Sequence, residues 1–277
     1  MRMAGAKQHG GPAGGGAAAG TAVPPLPDAG ARRSARRRRM WITLSLVGVI
    51  LVVVNAYATY VLVSERNASA GAGLRPSGIP GNISTSTANL MQLSPVPVAP
   101  APGFRFTDQR GHTMTLASLR GKVVVLEFID PHCTDICPIM SQEFVSAYHQ
   151  LGAQASKVVF AAINVNQYHA SVRDMAAYSA AHQLNAIPGW HFLTGPVPAL
   201  RAAWRAYNVQ VEAPGPDADI IHSTVLYFID ATGTERFIAS SMAGHTADGT
   251  AYLPLAQISG WASGIARLAG DLARPAR

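Results

Sequence analysis

A run of 23 residues, Trp41 to Val63, carries no charged side chain, and six arginines stand directly before it. At about 1.5 Å of rise per residue, a helix over that run is roughly 35 Å long, enough to cross the hydrocarbon core of a bilayer. Its length and its arginine flank argue against a buried core helix. Arg32, Arg33, Arg36, Arg37, Arg38 and Arg39 precede the run, and only Glu65 and Arg66 follow it closely. The positive-inside rule therefore places the N-terminus in the cytoplasm and everything after Val63 on the extracytoplasmic, periplasmic side. Ala56-Tyr57-Ala58 has the small-residue spacing of a signal-peptidase site, but the apolar run continues through Tyr60 to Val63. The expectation is one uncleaved transmembrane helix over residues 41–63.

The formal charge of +7 points to nucleic acid only until it is divided along the chain. Residues 1–40 hold eight of the 22 Lys and Arg and one of the 15 acids, so they carry +7 alone; the remainder has 14 of each sign. A formally neutral domain offers no footprint for a phosphate backbone, which sets nucleic-acid binding aside. Within the basic tail, residues 10–30 are almost all Gly, Ala and Pro, a composition that cannot bury enough apolar surface to offset its ordering entropy. Residues 1–40 are thus expected to be a disordered cytoplasmic tail. Residues 64–102, rich in Ser, Ala, Gly and Pro and ending in Pro95-Val-Pro-Val-Ala-Pro-Ala-Pro102, read as a tether.

One domain of ordinary size remains over residues 103–270, large enough to build a core without disulfides. Its pattern alternates. Residues 104–111 and 112–116 read as a hairpin, Val123 to Ile129 as a buried strand broken only by Glu127, and Val158 to Val165 as a second. Met140, Phe144, Tyr148 and Leu151 fall at helical spacing, with Pro138 tolerated in the first turn. A helix from Ser171, with Asp174 three residues on, has a capping pattern. A short strand at Trp190 to Thr194, a helix over Val197 to Tyr207, a hairpin around Ala231-Thr-Gly233 and a closing helix from Leu253 complete the series. Such alternation, ending in an antiparallel hairpin, predicts an α/β fold with a mixed sheet flanked by helices. Trp190, Trp204 and Tyr207 are expected in its core.

The only cysteines, Cys133 and Cys137, sit between the first buried strand and the helix that follows. A strand-to-helix turn aims the positive end of the helix dipole and its unpaired N–H groups at the sulfurs, which favours thiolate. A purely structural disulfide across so short a loop adds little stability. His222 opens a strand-like run within Asp219-Ile-Ile-His-Ser-Thr-Val-Leu-Tyr-Phe-Ile-Asp230. Two soft sulfurs and one imidazole suit Cu(I), although His222 could also be a core histidine satisfied by backbone partners. Zn(II) competes but usually takes a fourth ligand, for which His132 is the neighbouring candidate; a solvated loop histidine is the simpler reading of that residue. Asp135, inside the cysteine loop, could tune the thiols or cap the helix start, capping being the commoner role and the expectation here.

Cys133-Thr-Asp-Ile-Cys137-Pro138 after a buried strand, with His222-Ser223 before another, resembles the SCO/SenC family of membrane-anchored, thioredoxin-like copper chaperones for cytochrome c oxidase. Trp190-His-Phe-Leu-Thr-Gly195 and the single N-terminal anchor match as well. The resemblance implies a thioredoxin-like fold over residues 103–270 and copper, as Cu(I) or Cu(II), held by Cys133, Cys137 and His222. It also implies the copper-site subunit of the oxidase and an extracytoplasmic thiol reductant as partners. Asp130-Pro-His132 before the first cysteine departs from the family's usual pattern. A metallochaperone is the first functional expectation, acting as a monomer. The alternative is a thiol-disulfide oxidoreductase working through the redox-active pair Cys133 and Cys137; a peroxidase lacks a group dedicated to peroxide.

Overall fold

The computed structural model describes Asn55 and residues 75–240, 244–246 and 251–274. Among these residues no helix is long and apolar enough to cross a membrane, and the expected anchor at 41–63 and tail at 1–40 lie outside them. From Arg75 onward they belong to one compact unit, Arg66–Arg277.

Its elements are, in order, α1 (Thr85–Leu90), β1 (Ser94–Pro100), β2 (Arg105–Thr107), β3 (Thr113–Thr115), β4 (Val123–Ile129), α2 (Ile136–Leu151), β5 (Val158–Asn164), α3 (Val172–Ala181) and β6 (Trp190–Leu193). After them come α4 (Val197–Ala206), β7 (Val211–Glu212), β8 (Ile221–His222), β9 (Val225–Ile229), β10 (Thr234–Ser240), β11 (Gly244–His245), β12 (Ala251–Tyr252) and α5 (Leu255–Leu272). The main sheet has six strands in the order β1-β10-β9-β4-β5-β6. β4, β5 and β6 are parallel, while β9, β10 and β1 run antiparallel to their neighbours. This is the expected mixed sheet, and the long apolar strands β4 and β5 occupy its centre because helices cover both faces.

Side-chain alternation sorts β4 cleanly. Val123, Val125 and Ile129 face one apolar cluster with Phe144, Trp190 and Trp261 from α2, β6 and α5. Val124, Leu126 and Phe128 face the other, with Leu200, Trp204 and Tyr207 from α4 and its end. Trp190, Trp204 and Tyr207 are core residues, as expected, and each polar tip finds a partner: Trp190 Nε1 donates to Ser179 Oγ, Trp204 Nε1 to the Asn164 carbonyl and Tyr207 OH to the Pro102 carbonyl. The free edge of β6 is covered by Gln109, whose amide donates to the Trp190 carbonyl at 3.0 Å and accepts the Phe192 N–H at 2.9 Å, taking the place of a ladder partner.

Residues 64–102 depart from the expected tether in their described part. α1 forms with Ser84 capping the Thr87 N–H, and β1 pairs with β10 at the sheet edge. Pro95, Pro97 and Pro100 are compatible with a strand only at an edge, where a missing N–H costs no ladder bond, and the register shifts between Pro95 and Ala99. Ser171 and Asp174 form the predicted capping box at the start of α3.

Candidate metal centre at the strand-to-helix turn

Parallel strands deliver their loops to one end of the sheet. The turn after β4 carries Asp130 to Asp135, and Cys137 already lies in the first turn of α2. β9 runs antiparallel to β4 with Leu126 opposite Tyr227 and Val124 opposite Ile229. Continued two residues at a time, that register sets the segment before β9, which holds His222, beside the turn that holds the cysteines. Topology therefore gathers the three sequence-predicted residues at one end of two adjacent strands.

Both cysteines are free thiols; Cys133 is half-buried and Cys137 is 1% exposed. Cys133 is lowered to about 7, first because the Cys137 thiol donates to it, and further because it accepts from the backbone N–H groups of Cys137 and Asp135 at the helix start. Cys137 is pushed well above the ordinary thiol range, by that same bond and by burial. One sulfur is thus the readier to ionise and is partly accessible, while the other is its buried hydrogen-bond donor.

Burial lowers the pKa of His222, so its imidazole is neutral at pH 7. Its Nδ1 lies 3.1 Å from the Ser223 carbonyl, which can only accept, so the proton sits on Nδ1 and the Nε2 lone pair is left for a ligand. Asp130 acts electrostatically on both His222 and Cys133, tying the imidazole to the dithiol's surroundings. His222 does not join the two sulfurs in a ligand set within 4.8 Å; among the described residues that spacing is reached by His132, His169 and Asp174. Closing a Cys133, Cys137 and His222 site therefore requires the thiols and the segment carrying His222 to approach one another. That segment is held by a two-residue ladder, β8 against β7 with Val211 opposite His222, and by the Ser223 N–H bond to the Gln210 carbonyl.

Two expectations for the turn are corrected. Asp135 stands at the helix start but makes no capping bond; its Oδ2 lies 3.4 Å from His245 Nε2 instead. His132 is half-exposed but not merely solvated, because its ring stacks on His169 at 3.6 Å between centroids.

Two buried acids were not assigned a role from sequence. Glu127 of β4 and Glu143 of α2 are 1% and 0% exposed, and three of their carboxyl oxygens have no hydrogen-bond partner. Desolvation raises Glu127 well above the carboxylate range, helped by Glu143 and Cys133, and raises Glu143 to about 8. Both are neutral acids at pH 7. The signal for Glu127 was present, an acid in an otherwise apolar strand; Glu143 sits at a helical position that reads equally well as solvent-facing.

Fold and site together define a thioredoxin-like protein with a polarised dithiol at the N-terminus of its first long sheet-covering helix. The SCO1/SenC family pattern matches residues 97–250. The chain belongs to that family. The SCO1 protein homolog of Bacillus subtilis is 26% identical over 132 residues, 47% of this chain and 68% of that protein. Among solved structures, copper-bound ScoI of Bradyrhizobium japonicum shares 24% identity, with a TM-score of 0.47 over 61% of this chain and 99% of that one. BsSco, described as a Sco-family cytochrome c oxidase assembly protein with a disulfide switch, shares 25%, with a TM-score of 0.44 over 52% and 83%.

Proposed function

We propose that this chain is an extracytoplasmic copper-binding metallochaperone, anchored by residues 41–63, that passes Cu(I) to the copper-site subunit of cytochrome c oxidase. The observation that carries the reading is the polarised pair: a Cys133 thiol of lowered pKa, its donor Cys137 and a neutral imidazole with Nε2 unprotonated, at one end of the sheet. Cu(I) is the cargo these donors fit, since soft thiolates and imidazole select it over oxygen-loving ions. Family membership supports the choice of recipient. Cys133 and Cys137 bind the ion as thiolates, and uptake releases the Cys137 proton together with whatever proton Cys133 still holds. His222 closes the site from the neighbouring strand, and its short ladder lets it do so without breaking the main sheet.

A second reading, thiol-disulfide exchange on partner cysteines, is favoured by the order of the two sulfurs. An accessible, low-pKa Cys133 is the attacking thiol and a buried Cys137 resolves the mixed disulfide. His222 separates the readings. In the reduced full chain, held in detergent, His222→Ala is expected to weaken Cu(I) binding roughly tenfold or more. It should leave the rate of exchange with a small disulfide unchanged. Unaltered Cu(I) affinity in that variant, measured by anaerobic competition with a Cu(I) chelator, would sink the chaperone reading as drawn.

A further inference from the structure

The histidine beside Cys133 lies against a different set of ligand-type side chains, His169 and Asp174. We propose that His132, His169 and Asp174 form a second metal site, independent of the cysteines, for a divalent ion of the Cu(II) or Zn(II) type. Their ligand atoms all lie within 4.8 Å of one another. The two imidazole rings stack at 3.6 Å with 22° between planes, and His132 Nε2 lies 4.0 Å from Asp174 Oδ1. At metal bonds of about 2.0–2.1 Å, tetrahedral ligands stand roughly 3.3 Å apart, so the set must close by roughly 1.5 Å at its widest, and His132 must swing out of the stack because the in-plane lone pairs of stacked rings do not converge on one ion. The His132 side chain is 51% exposed and can turn that far.

The surroundings hold all three residues in place. His132 follows β4 and His169 follows β5, parallel neighbours whose loops leave the same end of the sheet. A buried polar network joins those loops: Asn166 Nδ2 donates to Asp130 Oδ1 at 2.9 Å, and the same oxygen accepts the His132 N–H at 2.9 Å. Asn166 Oδ1 accepts the His169 N–H at 3.2 Å, and Asn164 Nδ2 donates to the His169 carbonyl at 3.0 Å. Asp130, Asn164 and Asn166 are 5%, 0% and 3% exposed, so the pins are rigid. Asp174 is fixed by its capping box, where Oδ2 takes the Ser171 hydroxyl at 2.7 Å and the Ser171 N–H at 3.2 Å. Its other oxygen is thereby turned toward His132. Outer contacts of this kind orient ligands before an ion arrives. Two imidazoles and a carboxylate, with no thiolate, favour a borderline divalent ion over Cu(I).

The test uses the full chain in detergent, carrying Cys133→Ser and Cys137→Ser so that no sulfur can bind, titrated with Cu(II) and read by electron paramagnetic resonance. The first equivalent is expected to show nitrogen couplings from two imidazoles. His132→Ala and His169→Ala should each lower its affinity by at least the roughly 10- to 100-fold that loss of an outer-shell partner alone costs. His222→Ala should leave it unchanged. His132 is exposed, so its variant folds even if the His169 variant does not. Unchanged affinity and couplings in His132→Ala, or loss of the signal in His222→Ala, would overturn the proposal.

Discussion

Replacing Cys133 or Cys137 by serine is expected to remove tight Cu(I) binding, lowering affinity by at least about a thousandfold in either case. A hydroxyl is a hard, neutral donor, and neither His222 nor water replaces a thiolate on a soft ion. The two variants should differ in another respect. In Cys137→Ser the remaining thiol loses the sulfur donor that contributes most to its lowered pKa, whereas in Cys133→Ser the remaining thiol is buried and slow to react with alkylating reagents. Both proteins should fold, because the dithiol turn is pinned by Asp130 and by the Cys133 N–H bond to the Asp130 carbonyl rather than by the sulfurs. Competition against a Cu(I) chelator under anaerobic conditions reads the loss. Retention of tight binding by either single variant would contradict the assignment.

The second large effect is on stability. Glu143 titrates near its ordinary 4.5 in the unfolded chain but at about 8 in the native one, because burial disfavours its charge. Between those values the native state holds a proton that the unfolded state has released, so stability falls as pH rises from about 4.5 to 8 and levels off above it. At about 1.4 kcal/mol per pH unit, the loss at pH 7 relative to pH 4 is on the order of 3 kcal/mol from this group alone. Glu127 shifts in the same direction. Glu143→Gln removes the titration while keeping size and polarity, so urea midpoints of wild type and variant should converge near pH 5 and separate by pH 8 in favour of the variant. Parallel pH profiles would show that the carboxyl is not buried as described.

Strands β4 and β5 and the helices α2 and α3 were legible because each is a local pattern: an unbroken β-branched run, a helical apolar stripe, a serine with an acid three residues on. β1 was not, because Pro95-Val-Pro-Val-Ala-Pro reads locally as an extended tether and becomes a strand only when β10 offers its edge. The thiol pair was legible from its place between strand and helix. The state of His222 depends on the register of β9 against β4 and on a carbonyl one residue away, neither of which periodicity encodes. His169 was invisible for a similar reason. It stands 37 residues from His132, and only the parallel pairing of β4 with β5 stacks the two rings.

Copper binding and disulfide formation should exclude each other, since both use the same two sulfurs and Cu(I) requires them as thiolates. In the extracytoplasmic setting proposed above, the free protein would drift toward the disulfide and need a thiol reductant before loading. The most direct test is the Cu(I) stoichiometry of the full chain in detergent, measured anaerobically for the reduced and the oxidised protein side by side. One tightly bound Cu(I) per reduced chain and none per oxidised chain is the expected result; equal loading of both forms would show that Cys133 and Cys137 are not the ligands.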